Sequence, residues 1–428
     1  MIGALEFTAL FYLVDILGAS PTTAGVLLFV SQGCNAVMDL AIGRAVDRAG
    51  GVSRTGLFLS IGGAMACVGF ILLYGLPLLK WHDLGLAACL VFAVRLATSL
   101  LDIPHNALLT RVAAASRSRT SVAVWKFGFS TLGLLFVSVL LGMLQNPTHA
   151  ERSEQGVLVF GIVCGVLGPL SVLISWWVVR HAEADGWRRP SPSSAGTQQA
   201  VSGPGVFSRL WRRDYGLVLA VITLTPFSTH LFIKSLMFEA THVLGDPSAA
   251  QTLLAAMMLG QLAGVALWSW WANRLEKAQA ARLAFAIVAV GFVLFFWLGP
   301  VSMFLACGTM ALTGVGASGA LSLIWSMAAD CCDAAYADSG RRDDATAFGM
   351  LSFAGKVGSG LGGLMLGWWL STAGYAPGVA PGATTTAIIH ALNSLAPAIA
   401  AIACAVLLGG YRLSHARHEH LTRMRRTA

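Results

Sequence analysis

FAVRLATSLLDIPHNALLTRVAAASRSRTSVAVWK, residues 92–126, decides the fold. It sets Arg95, Asp102 and Lys126 inside, or at the edge of, runs otherwise apolar enough to lie in a bilayer. On insertion scales a charge at the bilayer centre is unfavourable by about 2.5–3.5 kcal/mol, so ionisable residues at that depth mark function by default. At helical spacing Arg95, Ser99, Asp102 and Asn106 fall on a single stripe. Such a stripe faces protein or water, not lipid.

The rest of the chain agrees with a membrane reading. Of its 428 residues 56% are hydrophobic and 11% charged, and its mean hydropathy is +0.71, far from the roughly 25% charged residues of a soluble domain. Apolar runs recur with short polar joints, the pattern of an all-α bundle of spanning helices and not of barrel strands. We place twelve spans, near 1–17, 22–43, 56–79, 84–110, 121–144, 156–179, 215–237, 249–272, 282–299, 301–329, 346–373 and 384–411. The first is short for the hydrocarbon core, so we expect it to be clipped or to start upstream. The eight cysteines lie mostly within the runs, without CxxC or His/Cys ligand spacing, and read as small apolar residues.

The net charge of +8 is a topology signal. With a cytoplasmic N-terminus, 22 of the 28 Lys and Arg fall in inside joints and two, Lys80 and Arg152, fall outside. The remaining four, Arg95, Lys126, Lys234 and Lys356, sit at membrane depth. This positive-inside bias places both termini in the cytoplasm of a multi-pass inner-membrane protein and argues against nucleic acid as a partner.

Residues 181–214 have the Pro, Ser, Gly and Gln content of a linker. They divide the chain into an N-terminal six-helix bundle (1–180), the cytoplasmic linker (181–214), a C-terminal six-helix bundle (215–411) and a basic tail (412–428). The halves echo each other: Ile16-Leu17-Gly18 matches Val243-Leu244-Gly245, and Asp47-Arg48 matches Asn273-Arg274 at nearly equal distances downstream. A parallel repeat of six spans is the outline of the major facilitator superfamily fold, with a central cavity between two bundles. Asp47 and Arg48, in a joint of glycines and mixed charges, are candidates for a gating loop, with Asp47 free to pair with an Arg or cap a helix. The acidic and arginine-rich stretch 330–344 reads as a solvated loop.

Three ordered pieces, YLVDILGASPTTAG, DIPHNALLTRV with RSRT and WKFGFSTLG, and MAADCCD with GRRDDATAFGMLSFAGKVGSGLGG, resemble the glycoside/pentoside/hexuronide cation symporters, the melibiose permease group of that superfamily. The resemblance implies a cation site from second-helix carboxylates with a fourth-helix hydroxyl and Asp, and a sugar site shared by that Asp and basic residues. Asp39, Ser99, Asp102, Lys126 and Lys356 fall on such positions. The departures are specific: the family's WDAxND reads CNAVMD, so Asn35 and Met38 replace family ligands and only Asp39 remains, while His105-Asn106 replaces an aromatic. Sodium is held by several hard oxygens with compensating charge, and this site has fewer.

We therefore expect a secondary active transporter of a small polar, sugar-like or anionic solute, working by alternating access. Asp102, Lys126, Lys356 and Asn106 are the solute-binding candidates, and Asp39, Ser99, Asp102, Asn35 and His105 the candidates for coupling. Arg95 is the expected counter-ion to Asp39 and Asp102, which makes a proton a better coupling ion than sodium. The alternative is an exporter of amphipathic drug-like or lysolipid-like compounds. No HExxH, GxSxG or paired catalytic carboxylates suggest an enzyme, and no cofactor or metal is expected; the chain is expected to act as a monomer whose partners are its solute and the bilayer.

Overall fold

A computed structural model describes residues 5, 12–13, 17, 21–49, 52–79, 83–108, 116–144, 150–184, 212–246, 249–271, 274–339, 343–372 and 381–413. Most of the linker and nearly all of the basic tail lie outside these. The described residues form helices α1 (Pro21–Ala49), α2 (Val52–Gly75), α3 (Leu84–Ala107), α4 (Ser116–Leu144), α5 (Ala150–Ala184), α6 (Arg213–His242), α7 (Ala249–Trp271), α8 (Lys277–Leu298), α9 (Met303–Ser339), α10 (Asp344–Thr372) and α11 (Ala383–Leu407). Nine of the described helices hold a stretch long and apolar enough to cross a membrane. The protein is a multi-pass membrane protein.

By their contacts the residues group into two units, the first of 1–112, 133–206 and 343–353, the second of 113–132, 207–342 and 354–428. In the first, α2 packs against α3 and α5, and α1 against α3. Its core is aromatic at one end: the Tyr12 and Tyr74 rings lie 5.0 Å apart and Tyr74 meets Phe160 edge-on at 5.4 Å, while the Tyr12 hydroxyl donates to the Leu73 carbonyl. Asp83 starts α3, its Oδ1 accepting from the amides of Gly85 at 2.8 Å and Leu86 at 3.3 Å. This cap satisfies donors that a helix start leaves open.

In the second unit α9 packs along α7 and α8, and α11 along α6 and α8. Small residues set the α7–α9 approach: a Cβ on Gly260 would lie 1.9 Å from the Ala311 carbonyl oxygen, and one on Gly314 2.0 Å from that of Met257. Only glycine on both sides lets the backbones approach this closely. Three residues past the end of α6, Gly245 has a φ of 71°, the left-handed conformation that favours glycine.

Two boundaries differ from the sequence reading. The stretch from Asp330 is not a solvated loop: α9 continues to Ser339 and buries Asp330 and Asp333. The Lys277 ammonium, 3% exposed, donates to Asp330 Oδ2 at 2.6 Å. An opposite charge 53 residues earlier makes burial of the carboxylate tolerable. Lys277 itself begins α8, five residues before the expected span.

Candidate functional site

Asp39, fully buried, is the hub of the first unit. The Ser99 hydroxyl of α3 donates to its Oδ1 at 2.5 Å, and the Ser352 hydroxyl of α10 donates to its Oδ2 at 2.5 Å. Asn35 Oδ1 lies against the same Ser99 hydroxyl. A hydroxyl has one proton, so Ser99 serves Asp39 or Asn35, not both. Ser352 thus serves Asp39 Oδ2, while Oδ1 shares the one Ser99 proton with Asn35. Asn35, Asp39 and Ser99 are brought together as one cluster, to which Ser352, 313 residues from Asp39, adds a partner the sequence did not suggest.

Arg95, 4% exposed, is fixed one helical turn earlier along α1. Its Nε donates to Ser31 Oγ at 2.8 Å and its guanidinium to Gln32 Oε1, and the Ser31 hydroxyl passes its own proton to the Leu28 carbonyl at 2.8 Å. These bonds seat the guanidinium on two oxygens of the α1 polar stripe. Asp102, one turn beyond Ser99, is half-buried and has no hydrogen bond or ion pair among the described residues. Asn106 is buried, and His105 Nε2 lies 3.3 Å from Ser175 Oγ of α5.

The same seam continues to the end of α1. Asp47 accepts from the backbone amides of Ala345 at 2.9 Å and Thr346 at 2.6 Å, capping the start of α10. The carboxylate sits where the helix leaves amides unpaired and its dipole is positive. Close approach fixes this register: a Cβ on Gly43 would lie 2.5 Å from the Ala345 carbonyl oxygen, and one on Gly349 2.7 Å from that of Asp39. Arg48, exposed on the next residue, points elsewhere.

In the second unit Lys126 of α4 is half-buried with its ammonium 5.0 Å from the Trp325 ring and 5.6 Å from Phe127. A cation over an indole face is held by the ring quadrupole. Lys356 is half-buried on α10. A cavity of about 70 Å³ inside this unit is lined by Thr225, Ser228, Gln261 and Thr313 among others. At roughly 30 Å³ per water it has room for about two waters.

Helices that hide charges against hydroxyls, amides and ring faces while showing apolar residues around them are those of a multi-pass membrane protein with a polar interior. The chain belongs to the MFS/sugar transport protein family, whose profile matches residues 1–415. It is 23% identical over 94% of its length to the inner membrane symporter YicJ of Escherichia coli K12, covering 86% of that protein. It is 25% identical to a putative sulfoquinovose importer of Salmonella typhimurium LT2, over 95% of this chain and 85% of the other. Among solved structures it is similar to the MFS transporter FucP in the outward conformation, with a TM-score of 0.61 and 13% identity over 96% of this chain and 97% of that one. This likeness supports a major facilitator fold, and the protein is not an enzyme.

Proposed function

We propose that the protein is a secondary active transporter that moves a small polar, sugar-like or anionic solute across the inner membrane by alternating access, coupled to a proton in preference to sodium. One observation carries the coupling: Asp39, the remaining carboxylate of the α1 motif, faces hydroxyl donors at both oxygens, Ser352 at Oδ2 and Ser99 at Oδ1, the latter shared with Asn35. A sodium ion needs several oxygens turned toward it with compensating charge. Here the neighbouring ligand is the neutral Asn35, and the nearby Arg95 adds positive charge instead of accepting it.

The residues read as solute contacts are Asp102, Asn106, Lys126 and Lys356. Two lysines against one carboxylate favour a solute carrying a negative charge. That some relatives are described as a glucuronide carrier homolog and a sulfoquinovose importer supports an acidic sugar. The test is uptake and counterflow of glucuronides and sulfonated sugars in proteoliposomes of the full chain, with sodium varied at fixed pH and a proton gradient varied at fixed sodium. We expect accumulation to follow the proton gradient; a steep sodium dependence would sink the coupling assignment, and transport of neutral sugars alone the solute class.

A further inference from the structure

Outside the cluster already described, the second unit buries another ionisable pair. Glu239, on the last turn of α6, is 0% exposed, and its Oε1 lies 2.6 Å from His390 Nδ1 on α11. The other ring nitrogen, Nε2, is 2.8 Å from the Phe296 carbonyl oxygen of α8. The Phe296 ring stacks on the imidazole at 4.8 Å, with Phe295 at 6.2 Å. Glu239 Oε2 is buried without a partner among the described residues.

Hydrogen-bond bookkeeping fixes how many protons this arrangement holds. A carbonyl oxygen only accepts, so Nε2 must carry a hydrogen. Nδ1 then faces a carboxyl oxygen at bonding distance, and two lone pairs cannot meet there. Either Nδ1 is protonated against a carboxylate, or a carboxylic acid donates to bare Nδ1. Both forms contain the same protons, one more than a carboxylate beside a neutral imidazole, and both have zero net charge. The unpartnered Oε2 favours the acid form, because a bare carboxylate would leave a full acceptor unsatisfied in a dry site.

No other charge nearby does this work. The remaining titratable groups on the elements that meet here are His230, Lys234 and His242 on α6, with Arg213, Asp214 and Tyr215 at its other end, Asp246 just after it, and Cys307 on α9, whose other titratable groups begin at Asp330. α7 has none, and those of α8, Lys277 and Arg282, lie at its far end. On α11 the next is Cys404, and Lys356 on α10 stands about 15 Å along the helix from Leu366, which packs at this end.

We propose that Glu239 and His390 form a proton-binding site, and that the bound proton holds α6 and α8 together through α11. Loss of that proton sets lone pair against lone pair at Nδ1 or at Nε2 and strands a negative charge in a buried site, so the bridge opens. The inference stands on this geometry alone and its test reads stability, so it and the transport reading can fail separately.

The unfolded chain above the ordinary histidine value of about 6.5 holds a carboxylate and a neutral imidazole. The folded pair then holds one proton more, so stability falls as pH rises, by up to tenfold in the folded-to-unfolded ratio per pH unit until the pair itself deprotonates. In E239Q the amide N–H donates to Nδ1 while Nε2–H keeps Phe296, so the bridge forms without the extra proton. Thermal unfolding of the full chain in detergent, between about pH 6 and pH 9, should show that E239Q loses this one-proton slope and keeps its stability at the upper end. Equal slopes in wild type and E239Q overturn the proposal. If E239Q does not fold, ¹⁵N spectra of histidine-labelled wild type, with the His390 signal assigned through H390Q or H390N, decide it. At about pH 8 two protonated ring nitrogens, or Nε2–H with a protonated Glu239 carboxyl read in ¹³C-labelled protein, support the site; a neutral ring of either tautomer beside an ionised Glu239 overturns it.

Discussion

Asp47→Ala removes a side chain that caps α10, and its effect follows from two hydrogen bonds. The carboxylate accepts from Ala345 N and Thr346 N at 2.9 and 2.6 Å. Replacing an N-cap carboxylate with alanine is unfavourable by about 0.5–2 kcal/mol, and the helix dipole adds a contribution of the same order that overlaps with it. We take about 2 kcal/mol for alanine, and about 1 kcal/mol for Asp47→Asn, whose amide oxygen still accepts one bond. At 1.4 kcal/mol per tenfold, the open population of the α1–α10 seam rises about 30-fold for alanine and about fivefold for asparagine. Hydrogen–deuterium exchange of peptides covering residues 343–353 reads that population directly. Exchange in D47A equal to wild type, or D47N faster than D47A, would refute the capping argument.

Other perturbations test other contacts. Breaking the buried Lys277–Asp330 pair with K277M or D330L alone should lower stability by about 3–5 kcal/mol, while the double variant recovers most of it; thermal melts showing no recovery would mean the pair is not the source. Gly260→Val must push α7 from α9, because its Cβ would start 1.9 Å from a carbonyl oxygen, and overpacking of this kind is unfavourable by about 1–3 kcal/mol. Gly216→Ala, inside α6 with nothing within 4 Å of the added carbon, is the control and should melt at or slightly above wild type.

Hydropathy made the spans legible because lipid selects on average composition over about 20 residues; helical spacing showed the polar stripes of α1 and α3 separately, and only the family resemblance set Asp39 beside Ser99. Ser352 and the Lys277–Asp330 pair were not legible. A carboxylate neutralised by a partner 53 residues away looks in a sequence window like a solvated one, and this shortened the expected α9. Glu239 and His390 were within reach: each is an ionisable residue in an apolar run, the same signal that drew attention to Arg95. Their pairing, 151 residues apart, was not, since no local periodicity links α6 to α11.

The 37 residues of α9 make a rod of about 55 Å at 1.5 Å per residue, while a bilayer with its headgroups is about 40–45 Å thick. A rod of that length outreaches the membrane even when moderately tilted. Its last turns, around Tyr336 to Ser339, are thus a ready-made mast, already stiffened by α7 and α8 along its length. A helical fusion grown from that end in uninterrupted register would turn with the protein as one body, giving particle alignment in electron microscopy a landmark that a small, nearly featureless membrane protein otherwise lacks.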